Sequence, residues 1–135
     1  MRLWHSELIP FLPKSQLLAQ WRELNSIFKK QDQHILINYI YEYPKEDLYC
    51  YTALVLEEMR NRHINIRTID KMEHYFENVQ PSSIYEPFKQ HHDIQYLTIC
   101  YFNLLEKYIR GQKDFTSDQF ENLKHFYEEK KEQLN

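Results

Sequence analysis

The chain has 135 residues, 42% hydrophobic and 16% aromatic, enough apolar side chain for one compact domain and too much for a disordered one. Its single glycine excludes Gly-rich phosphate-cradling and dinucleotide-binding loops and argues against hairpin-rich β architectures, which need backbone at positive φ. A formal charge of −3 excludes a molecule-wide attraction to nucleic acid or anionic membrane. Residues 1–67 carry nine basic and eight acidic side chains and residues 68–135 carry eight and twelve, so an anion-binding face belongs to the amino-terminal half. The expected fold is all-α, a single helical domain spanning residues 1–135.

Met1 to Pro13 is apolar and broken by Pro10 and Pro13, which predicts an extended arm lying on the domain. From about Lys14 to Lys30, Leu17, Trp21, Leu24 and Phe28 recur at helical spacing. At about 100° per residue, Arg22, Glu23, Ser26, Lys29 and Lys30 fall opposite them, a charged and mostly basic patch. His34 to Tyr43 is rich in β-branched and aromatic residues and fits a short strand or, since no partner strand is evident, an ordered connection. After Pro44 a helix is expected from about Lys45 to Asn61, with Leu48, Thr52, Val55 and Met59 along one side, and a shorter one from Asp70 to Asn78. Gln80 to His92, with Pro81 and Pro87, is a loop. A long helix from about Asp93 to Arg110 carries Ile94, Leu97, Tyr101, Leu104 and Tyr108 in register and stops at Gly111, the residue suited to a left-handed cap. Thr116 with Gln119 makes a capping box for a last helix. Prolines and scattered charges interrupt the early apolar runs, so neither a signal peptide nor a membrane span is expected, and the expected location is the cytoplasm.

Few residues announce chemistry. Cys50 and Cys100 are isolated in apolar runs and suit reduced core thiols. His5, His34, His63, His74 and His125 stand apart, while His91 and His92 adjoin Asp93; no spacing suits a metal. The aromatic surplus suits core packing, although unpaired bases could stack on part of it. Glu23 beside Arg22, with Lys29 and Lys30 one to two turns on, is a carboxylate among cations, an arrangement that is also what a solvated helix face looks like.

The run Gln16-Leu17-Leu18-Ala19-Gln20-Trp21-Arg22-Glu23-Leu24, after the opening Met1-Arg2-Leu3-Trp4-His5, resembles the pyrimidine-dimer DNA glycosylase family, the phage endonuclease V-like enzymes. His34-Ile35-Leu36-Ile37-Asn38-Tyr39 and the stretch from Leu54 to Ile66 resemble the family's histidine-led apolar segment and its helix ending in a basic pair and Asn-Ile. Leu104 to Ile109, which includes Lys107, is a weaker third block.

The resemblance implies a compact α-helical domain with its amino-terminal arm threaded between helices, and damaged double-stranded DNA as partner. It implies a glycosylase with abasic-site lyase activity, in which the amino-terminal amine attacks the sugar of the damaged nucleotide and forms an imine. Arg2 is too large for ordinary removal of the initiator, so the amine is that of Met1, and Glu23 takes the family's catalytic position. Arg2, Arg22, Lys29, Lys30 and Lys107 are the expected phosphate ligands, with His34 behind the site or facing DNA. Gln16 and Ser26 stand where viral members carry a histidine and an arginine, and the acidic segment from Phe120 to Asn135 replaces their basic aromatic tail, so binding is expected to be weaker and more salt-sensitive. No cofactor, no metal and a monomer are expected. A helical relative that keeps the scaffold without the chemistry, as a nucleic-acid or protein interaction module, is the alternative.

Overall fold

The computed structural model describes residues 2–80 and 86–133, and the fold is all-α, with no strand among the described residues. The elements are α1 (Lys14–Lys30), α2 (Lys45–Asn61), α3 (Asp70–Tyr75), α4 (Ile94–Ile109) and α5 (Ser117–Gln133), with 3₁₀ helices at Ser6–Phe11 and Asn38–Glu42. α1 packs on α2 and α3, α4 packs on α5, and the Ser6–Phe11 turn bridges the two groups through α2 and α5. No described helix is long and apolar enough to cross a membrane.

α1 is built from good helix formers with no Gly or Pro inside. Its buried arc is Leu17, Gln20, Leu24, Ile27 and Phe28; Trp21, expected on that arc, is only half-buried. Full burial of an aliphatic chain contributes about 1.5–3 kcal/mol, so Leu17, Leu24 and Ile27, all at 0% exposure, hold the helix firmly. Pro13 at its start offers no side-chain cap. The cap comes from 99 residues away: Asp114 accepts the Ser15 N–H at 2.6 Å and the Ser15 hydroxyl at 3.0 Å, satisfying an orphan donor of the first turn. Burial works to raise the Asp114 carboxyl, yet the Ser15 and Gln112 donors hold it below its ordinary value.

α2 buries Leu48, Thr52, Val55 and Met59, the side expected from spacing. α4 ends as the lone glycine predicts: Gly111, at φ 85°, donates to the Tyr108 carbonyl at 3.0 Å and Gln112 to Lys107 at 3.1 Å, a Schellman closure. The left-handed role is not reserved to glycine, however. His63 closes α2 in the same way at φ 58°, and Gln31 caps α1 at φ 51°, each at a backbone cost of about 1–2 kcal/mol. The Thr116–Gln119 capping box is present, with reciprocal bonds of 3.0 and 3.1 Å.

Two expectations need correction and one open reading is decided. Part of the arm, Ser6–Phe11, is a 3₁₀ helix, because Leu8 and Ile9 turn inward together and the His5 ring accepts the Glu7 N–H at 3.1 Å. Of the two readings of His34 to Tyr43 the ordered connection holds: with no edge to pair with, its backbone closes a turn at His34 and the 3₁₀ helix Asn38–Glu42. The third helix ends at Tyr75, not Asn78. The Pro81 part of the loop lies outside the described residues.

Candidate active site

Residues 2 to 6 run between helices, and side chains from three of those helices take up their backbone groups. Gln20 of α1, 1% exposed, accepts the Trp4 N–H at 2.8 Å and donates to the Arg2 carbonyl at 3.2 Å. Tyr51 of α2 donates to the Trp4 carbonyl, its hydroxyl oxygen lying 2.6 Å from that oxygen and 2.9 Å from Gln20 Oε1, which share its one proton. Tyr96 of α4 donates to the Leu3 carbonyl. A strand-like segment without a sheet would otherwise bury unpaired peptides. The arm therefore has one address along its length.

His5 and His92 fasten its next residues. His5 Nε2 bonds the His92 carbonyl at 2.7 Å, and the Ser6 N–H donates to His92 Nδ1 at 3.1 Å. Since Nδ1 accepts, His92 Nε2 carries the proton and donates to the Tyr39 hydroxyl at 2.7 Å. Burial pushes both rings below the ordinary histidine value, His92 to about 2 with help from His5 and His91. His5 thus does not stand apart, as its place in the sequence suggests; it meets His92 across 87 residues. Among the described residues, no group of His, Cys, Asp or Glu could hold a metal.

Glu23 follows Gln20 by three positions, and Gln20 Nε2 donates to Glu23 Oε2 at 3.1 Å. One side chain thus holds the Arg2 peptide and the Glu23 carboxylate together. Half-buried, Glu23 has its carboxyl raised above the ordinary value by desolvation, against the pull of the Arg2 backbone N–H and the Arg22 guanidinium. It lines a cleft of about 280 Å³ with Arg2, Trp4, Gln16, Leu36, Asn103 and Lys107. Such a carboxylate can stabilise a developing positive charge and accepts a proton more readily than an ordinary one. Met1 lies outside the described residues.

The remaining cations face elsewhere. Arg22, Lys29 and Lys30 line a second groove of about 410 Å³ with Trp21, Asn25, Ser26, Thr68, Arg67 and Lys71. It holds five cations and, among the described residues, no carboxylate. The expected grouping of Glu23 with Arg22, Lys29 and Lys30 on one face is therefore corrected. Glu23 turns with Gln16 and Gln20 toward the arm, while the basic residues turn toward the segment entering α3. Exposed His34 uses Nδ1 to accept the Leu36 N–H at 3.1 Å, which shapes the turn at the cleft and leaves Nε2 as an outward donor.

Sequence reasoning missed Gln20, Asn103, Arg67 and Lys71. Gln20 left a trace, a polar residue on the apolar arc between Leu17 and Leu24. The others reach their grooves only through helix packing.

Residues 1–72 match the sequence pattern of the family described as pyrimidine dimer DNA glycosylase, over half of the chain. The chain belongs to that family. Membership supports a pyrimidine dimer DNA glycosylase-like function with DNA as substrate. The matched stretch holds the arm, α1 with Gln20 and Glu23, the His34 turn and α2; Asn103 and Lys107 lie beyond it. No curated protein and no solved structure matches the chain.

Proposed function

We propose that this member of the family is an active DNA glycosylase and abasic-site lyase that works through its amino-terminal amine. The Met1 amine, in its neutral form, attacks C1′ of the damaged nucleotide as the glycosidic bond breaks and the base leaves with the bonding pair. Loss of the amine proton and opening of the sugar ring give an imine. β-Elimination then expels the 3′ phosphate, and water releases the amine. An α-amine suits this step, since with a reference pKa of about 7.7–8.0 roughly a tenth of it is neutral at pH 7, against less than about a thousandth of a lysine. Glu23 opposes the positive charge on the sugar and the iminium and relays protons. Arg2 and Lys107 hold phosphate at the cleft; Arg22, Lys29 and Lys30 hold the duplex along the second groove, and His34 donates to it. The duplex must be bent and a nucleotide extruded for the sugar to reach the cleft.

The observation that carries this reading is Gln20, bonded at once to the Arg2 carbonyl at 3.2 Å and to Glu23 at 3.1 Å. A fold that needed Glu23 only as a solvated surface charge has no use for that tether. The test is borohydride trapping on duplex carrying a cyclobutane dimer or an abasic site. A covalent protein–DNA adduct is expected, abolished by blocking the amine and by Glu23→Gln while DNA binding persists. Binding without any adduct refutes the chemistry and favours the interaction-module alternative.

A further inference from the structure

The most exposed large hydrophobic residue among those described is Ile35, at 87%, with Leu36 beside it at 38%. An isolated apolar side chain on a surface needs no explanation, but this pair is held out by a stiff support. The Ile37 and Asn38 N–H groups both donate to the His34 carbonyl, at 2.9 and 2.8 Å. The His34 N–H is tied to Asn38 Oδ1 at 2.7 Å, and the Leu36 N–H to the His34 ring at 3.1 Å. Directly behind the tip, Ile37 is 0% exposed and anchors the turn in the core, followed by buried Tyr39 and Ile40. The turn gains nothing for the core from Ile35, yet cannot fold it away.

Its location is specific. Leu36 lines the same cleft as Glu23, together with Asn103 and Lys107 of α4, and Ile99, one turn before Asn103, is a further exposed apolar residue. The surrounding charge suits a polyanion: Arg2 and Lys107 line the cleft, His34 opens the tip, and residues 33–41 contain no acidic side chain. An apolar point between cations fits a base step flanked by phosphates, because inserted aliphatic side chains unstack neighbouring bases while basic residues hold the backbone.

We infer that the Ile35–Leu36 tip is a wedge that enters the base stack of duplex DNA beside the lesion and holds a nucleotide out of the stack, so that the sugar of the lesion reaches Glu23. The inference rests on the reading of the cleft given above and adds the part that performs extrusion. Leu36 fills the gap at the cleft rim, and Ile35 props the adjoining base pair.

Two measurements on the 135-residue chain test it. In the first, Ile35→Ser is compared with wild type in trapping on an abasic site within fully paired duplex and on the same site inside an unpaired internal loop, where no stack must be opened. The ratio of duplex rate to loop rate should fall about tenfold, equivalent to about 1.4 kcal/mol of lost support for the extruded state, with the melting temperature unchanged. An unchanged ratio overturns the wedge. In the second, 2-aminopurine beside an unreactive abasic analogue reports unstacking without chemistry. Wild type should raise its fluorescence, and Ile35→Ser should bind without doing so. Wild-type protein that fails to bind, or binds with no rise, overturns the wedge. A rise without any trapped adduct on reactive duplex supports the wedge and refutes the imine chemistry.

Discussion

Replacing Gln20 by Leu tests the link between the arm and the carboxylate most directly. The two side chains are of similar size, so the substitution removes hydrogen bonds with little change in packing. Four contacts are lost: Trp4 N–H at 2.8 Å, Tyr51 Oη at 2.9 Å, Glu23 Oε2 at 3.1 Å and the Arg2 carbonyl at 3.2 Å. Tyr51 keeps the Trp4 carbonyl, so the main cost is the buried Trp4 N–H left without an acceptor, about 1–3 kcal/mol. The two half-buried partners can turn partly to water, and together the loss should be about 2–4 kcal/mol. For a 135-residue chain each kcal/mol moves the melting temperature by about 3–4 °C, so a fall of about 7–14 °C is expected. The catalytic effect should be larger than folding explains. A misplacement of about 1 Å can cost about a hundredfold in rate, and single-turnover borohydride trapping, measured well below the variant's melting range, should slow by that order. A variant that melts lower but traps at the wild-type rate refutes the claim that Gln20 aligns the arm with Glu23. A variant with an unchanged melting temperature refutes the energetic assignment itself.

Other expectations follow from the same geometry. The Glu23 carboxyl is raised by desolvation, so the folded state holds its proton more tightly than the unfolded chain does, and the ionised form costs stability at neutral pH. Glu23→Gln should therefore melt at or above the wild-type temperature while losing trapping; in wild type the acid limb of the trapping rate should lie above pH 4.5. His92 has the opposite sign. Its folded value of about 2 lies below the unfolded 6.5, so the unfolded chain takes up the proton first and stability falls as pH drops below 6.5. The slope is about 1.4 kcal/mol per unit, or roughly 2.7 kcal/mol by pH 4.5. Urea unfolding at pH 7 and pH 4.5 should show this loss in wild type and a smaller one in His92→Asn; parallel losses would contradict it. In the basic groove, Arg67→Ala or Lys71→Ala should each lower the slope of log affinity against log salt by about 0.9, without altering discrimination between damaged and intact duplex. An unchanged slope would remove that residue from the DNA path.

What was legible in the sequence was local. Leu17 and Leu24 at helical spacing, the Thr116–Gln119 box and Gly111 each act within a few residues, and each appears where its spacing puts it. Glu23 was legible through the short motif around it, but its orientation was not. A helical wheel grouped it with Arg22, Lys29 and Lys30 because a wheel does not know that the arm approaches from the Gln16–Gln20–Glu23 side. His5 and His92 are 87 residues apart, and nothing near either signals the other. The His34–Tyr43 segment stayed open between strand and connection because β-branched residues favour strands only where a sheet exists to receive them. In an all-α fold the same residues split between anchors, Ile37 and Ile40, and a tip, Ile35.

The cap on α1 has a consequence for how the two halves of this chain relate. The family match ends at residue 72, yet the first turn of the helix bearing Glu23 is closed by Asp114, and the arm is gripped by Tyr96 and His92. The second half is thus the jig in which the first half is set. It brings a carboxylate, a phenol and an imidazole to the arm and to the start of α1, and Asn103 and Lys107 to the cleft wall. Cutting the chain after residue 72 would leave the motif intact on paper and its helix start, arm and cleft wall without support.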